Sequence, residues 1–178
     1  MENPKRDGAV MARAEDNVVL GEAKAKPPPG PVSIRMAELS DVERISVIEA
    51  RAFSNPWHPQ TFRSLIEKGG ARILVAEANG AGVVGYAVVW WVLEQGELAN
   101  LAVSDGVRGR GVGSALLDRV LDEAAEAGVE SLFLEVRTSN DRAWDLYRSR
   151  GFEQVGIRRD YYRKPMEDAR ILVKRLDG

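Results

Sequence analysis

Two glutamates and a tyrosine stand where chemistry is possible. Glu135 interrupts the apolar run Leu132-Phe133-Leu134-Glu135-Val136. A carboxylate among large apolar side chains is costly unless it has a partner or a task. It could be a general base, or it could be ion-paired to a neighbour such as Arg137. Glu97 is a second carboxylate, on a neighbouring strand-like run, and could share a proton path or stand as a solvated strand residue. Tyr147 sits on a helical stretch, where it could be a proton donor or a core aromatic like Trp144 and Leu146. Other catalytic kits are excluded by composition. The chain has no cysteine and one histidine, His58, so thiolate metal sites, a cysteine nucleophile and disulfides are absent. No nucleophile elbow surrounds His58, which reads as a surface or structural residue. No metal site is expected.

The richest stretch runs from Asn100 to Leu117, Asn-Leu-Ala-Val-Ser-Asp-Gly-Val-Arg-Gly-Arg-Gly-Val-Gly-Ser-Ala-Leu-Leu. A strand enters a glycine-rich turn that opens an amphipathic helix. Backbone N–H groups at a helix start, helped by the helix dipole, suit a phosphate or pyrophosphate. Gly111 and Gly113 let the backbone approach a ligand without Cβ clashes, and Arg108 and Arg110 add charge. A P-loop would need a lysine followed by Ser or Thr after its last glycine; here Gly113 is followed by Ser114-Ala115. Gly109, Gly111 and Gly113 are spaced by two, which does not match a Rossmann fingerprint.

The elements that must position these groups follow from periodicity. Val32, Ile34 and Met36 alternate as in a half-buried strand. A helix capped by Ser40 or Asp41 carries Val42, Ile45, Ile48 and Ala52 at helical spacing. Asn55-Pro-Trp-His-Pro59 breaks it, and a short helix follows over Gln60–Glu67, ended by Gly69-Gly70. Strands are predicted over Arg72–Ala78, Gly85–Val92 and Glu97–Val103, then a helix from Gly111 to Ala127. A strand at Ser131–Arg137, a helix at Asp141–Arg150 and strands at Phe152–Tyr161 and Ala169–Val173 complete the chain. That order predicts one α/β domain over residues 32–178: a mixed sheet of about seven strands flanked by about four helices, a meander first and parallel crossovers after.

The pattern Arg-x-x-Gly-x-Gly at 108–113, after a strand ending Leu-Ala-Val, resembles the acyl-CoA pyrophosphate loop of the GNAT superfamily of N-acetyltransferases. Asn140-x-x-Ala143-x-x-Leu146-Tyr147-x-x-x-Gly151-Phe152 resembles that superfamily's other block, at the expected place downstream. Phe53 to Trp57 with Phe62, the Glu135 strand, Arg158-Arg159-x-Tyr161-Tyr162 and Glu167-Asp168-Ala169 are similar to the RimI-like enzymes, which acetylate the N-terminal alanine of a ribosomal protein. The resemblance covers Val32 to the C-terminus. It departs at Gln95, where the family often has an acidic residue; Glu97, two positions on, shares that face.

The resemblance implies acetyl-CoA as donor and a ribosomal protein N-terminus as acceptor. Its cofactor contacts would be Leu101, Ala102, Val103, Arg108, Gly109, Arg110, Gly111, Val112, Gly113, Ser114, Asn140 and Tyr147. The backbone of Leu101 and Val103 would pair with the pantetheine amides as an added strand would. The Val103 amide would also polarise the acetyl carbonyl, and Asn140 would bond the pantetheine arm or fix a helix start. Glu135 becomes the base, Tyr147 the acid and Glu97 a second carboxylate. Phe53, Trp57, Glu97, Tyr161 and Tyr162 would contact the peptide, with Trp90 and Trp91 left to packing. The same fold could instead acetylate a small-molecule amine or a lysine side chain, or bind acyl-CoA without turnover.

The net charge of −2 over 178 residues lacks the basic excess of a nucleic-acid coat. No apolar stretch approaches the roughly 20 residues of a membrane span, and Met1–Ala25 carries no signal-like h-region. A cytoplasmic monomer or weak dimer is expected. Residues 1–31, ending in Pro27-Pro-Pro-Gly-Pro31, read as a disordered tail.

Overall fold

A computed structural model describes residues 31–176; the tail expected to be disordered lies almost wholly outside the described residues. Seven strands form one sheet in the order β1-β2-β3-β4-β5-β7-β6. β1 (Val32–Met36), β2 (Arg72–Ala78), β3 (Gly82–Val92) and β4 (Gln95–Val103) make the expected antiparallel meander. β5 (Ser131–Arg137) then joins β4 in parallel. The second half differs from the expected series of parallel crossovers. β7 (Met166–Arg175) inserts between β5 and β6 (Glu153–Arg163), antiparallel to both. A short β6–β7 hairpin permits that insertion, whereas a parallel neighbour would need another crossover element.

Four α-helices cover the two faces. α1 (Val42–Ala52) and α2 (Pro59–Lys68) pack on one face, over Phe53, Phe62, Val75, Tyr86, Val88 and Ala102. α3 (Val112–Glu126) and α4 (Asp141–Arg148) pack on the other, over Leu74, Leu98, Leu101, Leu132 and Leu134. With both faces covered, the central strands are apolar on both sides and read as continuous runs.

α1 starts at Asp41, whose carboxylate accepts from Arg35 at 2.7 and 3.0 Å and from the Glu38 N–H at 2.8 Å. α2 is capped by His58, whose ring nitrogen accepts from the Gln60 N–H at 3.2 Å. The sole histidine is therefore a helix cap.

Two irregularities shape the centre. In β4 the pairing steps from Leu98↔Val89 to Asn100↔Val88, so Ala99 is an extra residue. Such a bulge bends a strand and re-aims its side chains. Pairing between β4 and β5 also stops early: Gln95↔Ser131, Gly96↔Leu132 and Glu97↔Phe133, with none beyond. The two strands part from there, leaving a gap in the middle of the sheet.

Candidate active site

Glu135 sits on the lip of that gap. Phe133 is the last β5 residue paired to β4, opposite Glu97. Glu135 lies two residues further on, so it faces the same side as Phe133. It is 8 % exposed. Its two oxygens are held separately, Oε1 by Arg158 Nη1 at 3.0 Å and Oε2 by the Tyr161 hydroxyl at 3.1 Å. The Arg158 guanidinium also lies 5.5 Å from the Tyr161 ring. The partner of Glu135 is thus Arg158 rather than Arg137. Arg137 instead donates to Glu167 (3.1 Å), to the carbonyls of Lys164 and Pro165, and to Ser54 in the α1–α2 loop.

Glu97 is half-buried on the same side of the sheet and accepts a hydrogen bond from the Trp90 side chain. Burial, and then the neighbouring Glu135 charge, push its carboxyl up from the ordinary range. Glu97 therefore holds a proton more readily than an ordinary glutamate. Together they line a cavity of about 630 Å³ with Trp90, Phe133, Leu134 and Arg158.

Tyr147 approaches from the opposite face. It lies on α4, fully buried, with its ring edge-on to Phe152 at 5.4 Å. Burial raises its hydroxyl well above the usual tyrosine value, so it is held protonated. Asn140 fixes the start of this helix, its side chain accepting from the Ala143 N–H at 3.1 Å. Carboxylates on one face of the sheet and a phenol on the other can meet at one reacting atom only where the sheet is open, and β4 and β5 open it there.

The glycine-rich turn lies at the far end of β4. Gly109 and Gly111 are both left-handed, at φ of 76° and 81°. Gly111 is the residue before α3, with no side-chain cap. The first N–H groups of α3, from Val112, Gly113 and Ser114, have no acceptor within the helix. They form a donor cradle of the kind that holds a pyrophosphate, and a free Gly111 surface (no atom within 4 Å of where a Cβ would stand) leaves room for one. Gly109 packs against Arg142 of α4, which a Cβ would meet at 2.8 Å. The Ser104 N–H bonds Val84 of β3. The Val103 carbonyl, across the same peptide, therefore points to the gap side, and alternation gives Leu101 the same outlook; Ala102 faces the α1–α2 core instead. Arg108 is less available than its place suggests. Its side chain is 5 % exposed, donates to the Val103 carbonyl at 2.9 Å and pairs with Asp105 at 2.6 Å. It shapes the turn, while Arg110 and Arg142 carry charge nearer the surface.

The aromatic residues expected along the peptide groove are arranged differently. Phe53 and Trp57 are core residues at 5 % and 9 % exposure. Trp57 packs on Phe62 and stacks on Trp90 at 6.5 Å, so Trp90, assigned to packing by sequence, lines the cavity with Trp57 behind it. Tyr162 is fully buried under the Arg137 guanidinium, 4.1 Å from its ring centre. Only Tyr161 of that pair touches the carboxylate.

Glu49 went unnoticed in the sequence. It is 1 % exposed on α1 and accepts from the Tyr86 hydroxyl, the Trp57 N–H at 2.8 Å and Asn100 Nδ2 at 3.2 Å. It ties the α1–α2 loop to the β4 bulge. The signal was present: Glu49 falls four residues after Ile45, on the apolar stripe of the helix.

Residues 42–152 match the Acetyltransferase (GNAT) family. The chain belongs to the GNAT acetyltransferase family. It is 38% identical over 139 residues to the [ribosomal protein bS18]-alanine N-acetyltransferase of Escherichia coli (strain K12), covering 78% of this chain and 90% of that one. It is 37% identical over 145 residues to the N-alpha-acetyltransferase RimI of Mycobacterium tuberculosis, covering 78% and 89%. Its fold is similar to the crystal structure of the ribosomal-protein-S18-alanine N-acetyltransferase from Escherichia coli, with TM-score 0.76, 35% identity and coverage of 83% and 96%. Among the described residues no helix is long and apolar enough to cross a membrane.

Proposed function

We propose that this GNAT acetyltransferase acetylates the N-terminal α-amine of a ribosomal protein, with alanine as the acceptor residue. The observation that carries the reading is Glu135, held by Arg158 and Tyr161 at the point where β4 and β5 part. The names of its relatives support the acceptor.

Acetyl-CoA supplies an activated acyl group and a thiolate leaving group. The α3 N-terminus and the gap-facing backbone of Leu101 and Val103 hold it. The incoming amine, pKa about 8, approaches from the cavity lined by Glu97 and Glu135 and attacks directly in a ternary complex. A Glu135 oxygen takes the amine proton, directly or through water, and Glu97 shares the proton path. The Tyr147 hydroxyl gives its proton to the departing sulfur, whose conjugate acid has pKa about 8.5. The Val103 N–H polarises the acyl carbonyl. A positioned base of this kind is worth about 10² to 10⁴ in rate.

Free-thiol release from acetyl-CoA tests the reading, with a short peptide beginning with alanine beside the same peptide blocked at its α-amine. Turnover lost on blocking is expected. Equal turnover with both peptides, or none with either while spermidine or a free amino acid is acetylated, overturns the acceptor.

A further inference from the structure

Arg158 and Tyr161 both reach Glu135, yet they are three residues apart on one strand. In a regular strand residues three apart face opposite sides of the sheet. β6 resolves this with a wide bulge: Arg158 pairs with Ala169 and Tyr162 with Glu167, so Arg159, Asp160 and Tyr161 all stand opposite Asp168 alone. Asp160 takes the left-handed conformation, φ 51°, which is uncommon for a non-glycine residue and which aspartate adopts with the help of local hydrogen bonds.

Asp168 is what holds it. Its Oδ1 accepts from the Asp160 N–H at 2.9 Å, and its Oδ2 pairs with Arg159 Nη1 at 2.8 Å. Its own backbone is anchored, the carbonyl accepting from the Thr138 N–H at 3.2 Å. The preceding Glu167 adds a second tie to the same turn, accepting from Thr138 Oγ1 at 2.9 Å and the Ser139 N–H at 2.6 Å. One carboxylate thus clamps both the bulged backbone and the side chain flanking it.

We infer that Asp168 is a positioning residue: it locks the β6 bulge in the one shape that turns Arg158 and Tyr161 together onto Glu135. It touches neither substrate nor cofactor. The inference rests on the reading of Glu135 as the base.

The test is steady-state kinetics on four variants of the full chain. Asp168→Ala removes both bonds. Its kcat should fall about 10- to 100-fold, the cost of misplacing catalytic groups by about 1 Å, while the KM for acetyl-CoA stays within twofold. Asp160→Gly alone should leave kcat unchanged. Added to Asp168→Ala, it should recover kcat at least threefold, because glycine adopts φ near +51° without the steric cost that the clamp otherwise offsets. Asp168→Asn keeps one acceptor and should fall between wild type and Asp168→Ala; should Asp168→Ala not fold, Asp168→Asn carries the same comparison. Glu135→Gln separates the two ideas. If it retains turnover, the base assignment fails. If it loses turnover but Asp168→Ala keeps kcat within twofold, or if Asp160→Gly rescues nothing, the positioning role is overturned.

Discussion

The buried carboxyl of Glu49 should make this protein less stable as pH rises through neutrality. Its partners, Tyr86, the Trp57 N–H and Asn100 Nδ2, are neutral donors that favour the anion. Desolvation outweighs them and lifts the group from the usual 4.5 to about 7. A raised carboxyl binds its proton more tightly folded than unfolded, so stability is full below the unfolded pKa and falls as pH climbs to the folded one. At about 1.4 kcal/mol per pKa unit the total penalty is on the order of 3 kcal/mol, most of it developing between pH 5 and 8. Urea unfolding across that range measures it, comparing wild type with Glu49→Gln. The glutamine lowers stability at pH 5 by losing an acceptor, but its stability should be flatter with pH by about 2 to 3 kcal/mol. Parallel pH curves for the two proteins would refute the assignment of the buried proton to Glu49.

Three further outcomes are expected. Tyr147→Phe should lower kcat about 10- to 100-fold and leave acetyl-CoA affinity near wild type by calorimetry, since only a proton donor is lost. Gly111→Ala should cost about 1 kcal/mol in thermal unfolding for its left-handed backbone, and should weaken acetyl-CoA binding tenfold or more because the new methyl stands on the donor cradle. Arg137→Met should destabilise by about 2 kcal/mol, because Glu167 loses its cation and the carbonyls of Lys164 and Pro165 lose their donor; chemical denaturation reads this directly.

Much of this was legible because local period and turn chemistry are written in consecutive residues. The stripe of Leu116, Leu117, Val120 and Ala124 marks α3, the left-handed glycines mark its start, and Asn140 marks the start of α4. What stayed hidden depends on partners distant in sequence. Nothing in the alternation of Phe152–Tyr161 says that β7 will slide between β5 and β6. The parting of β4 from β5 after Glu97 is a matter of register, which strand period does not encode. Strand alternation separates Trp90 from Trp91, as found, but cannot say that Trp57 tucks behind Trp90 rather than lining the cavity. Arg158 and Tyr161 were visible within their motif, yet their meeting at Glu135 follows from a bulge after Arg158 that simple alternation would forbid. Glu49 was within reach: a carboxyl on an apolar helix stripe implies a buried partner, found here in Tyr86 and Asn100.

The central claim is tested most directly by locating the acetyl group in the product. An alanine-initiated peptide with one internal lysine is incubated with acetyl-CoA and either wild type or Glu135→Gln, then fragmented by tandem mass spectrometry. Acetyl on the α-amine alone, formed about 10² to 10⁴ times faster by wild type than by Glu135→Gln, is the predicted result. Acetyl on the lysine, or equal rates for the two proteins, would contradict it.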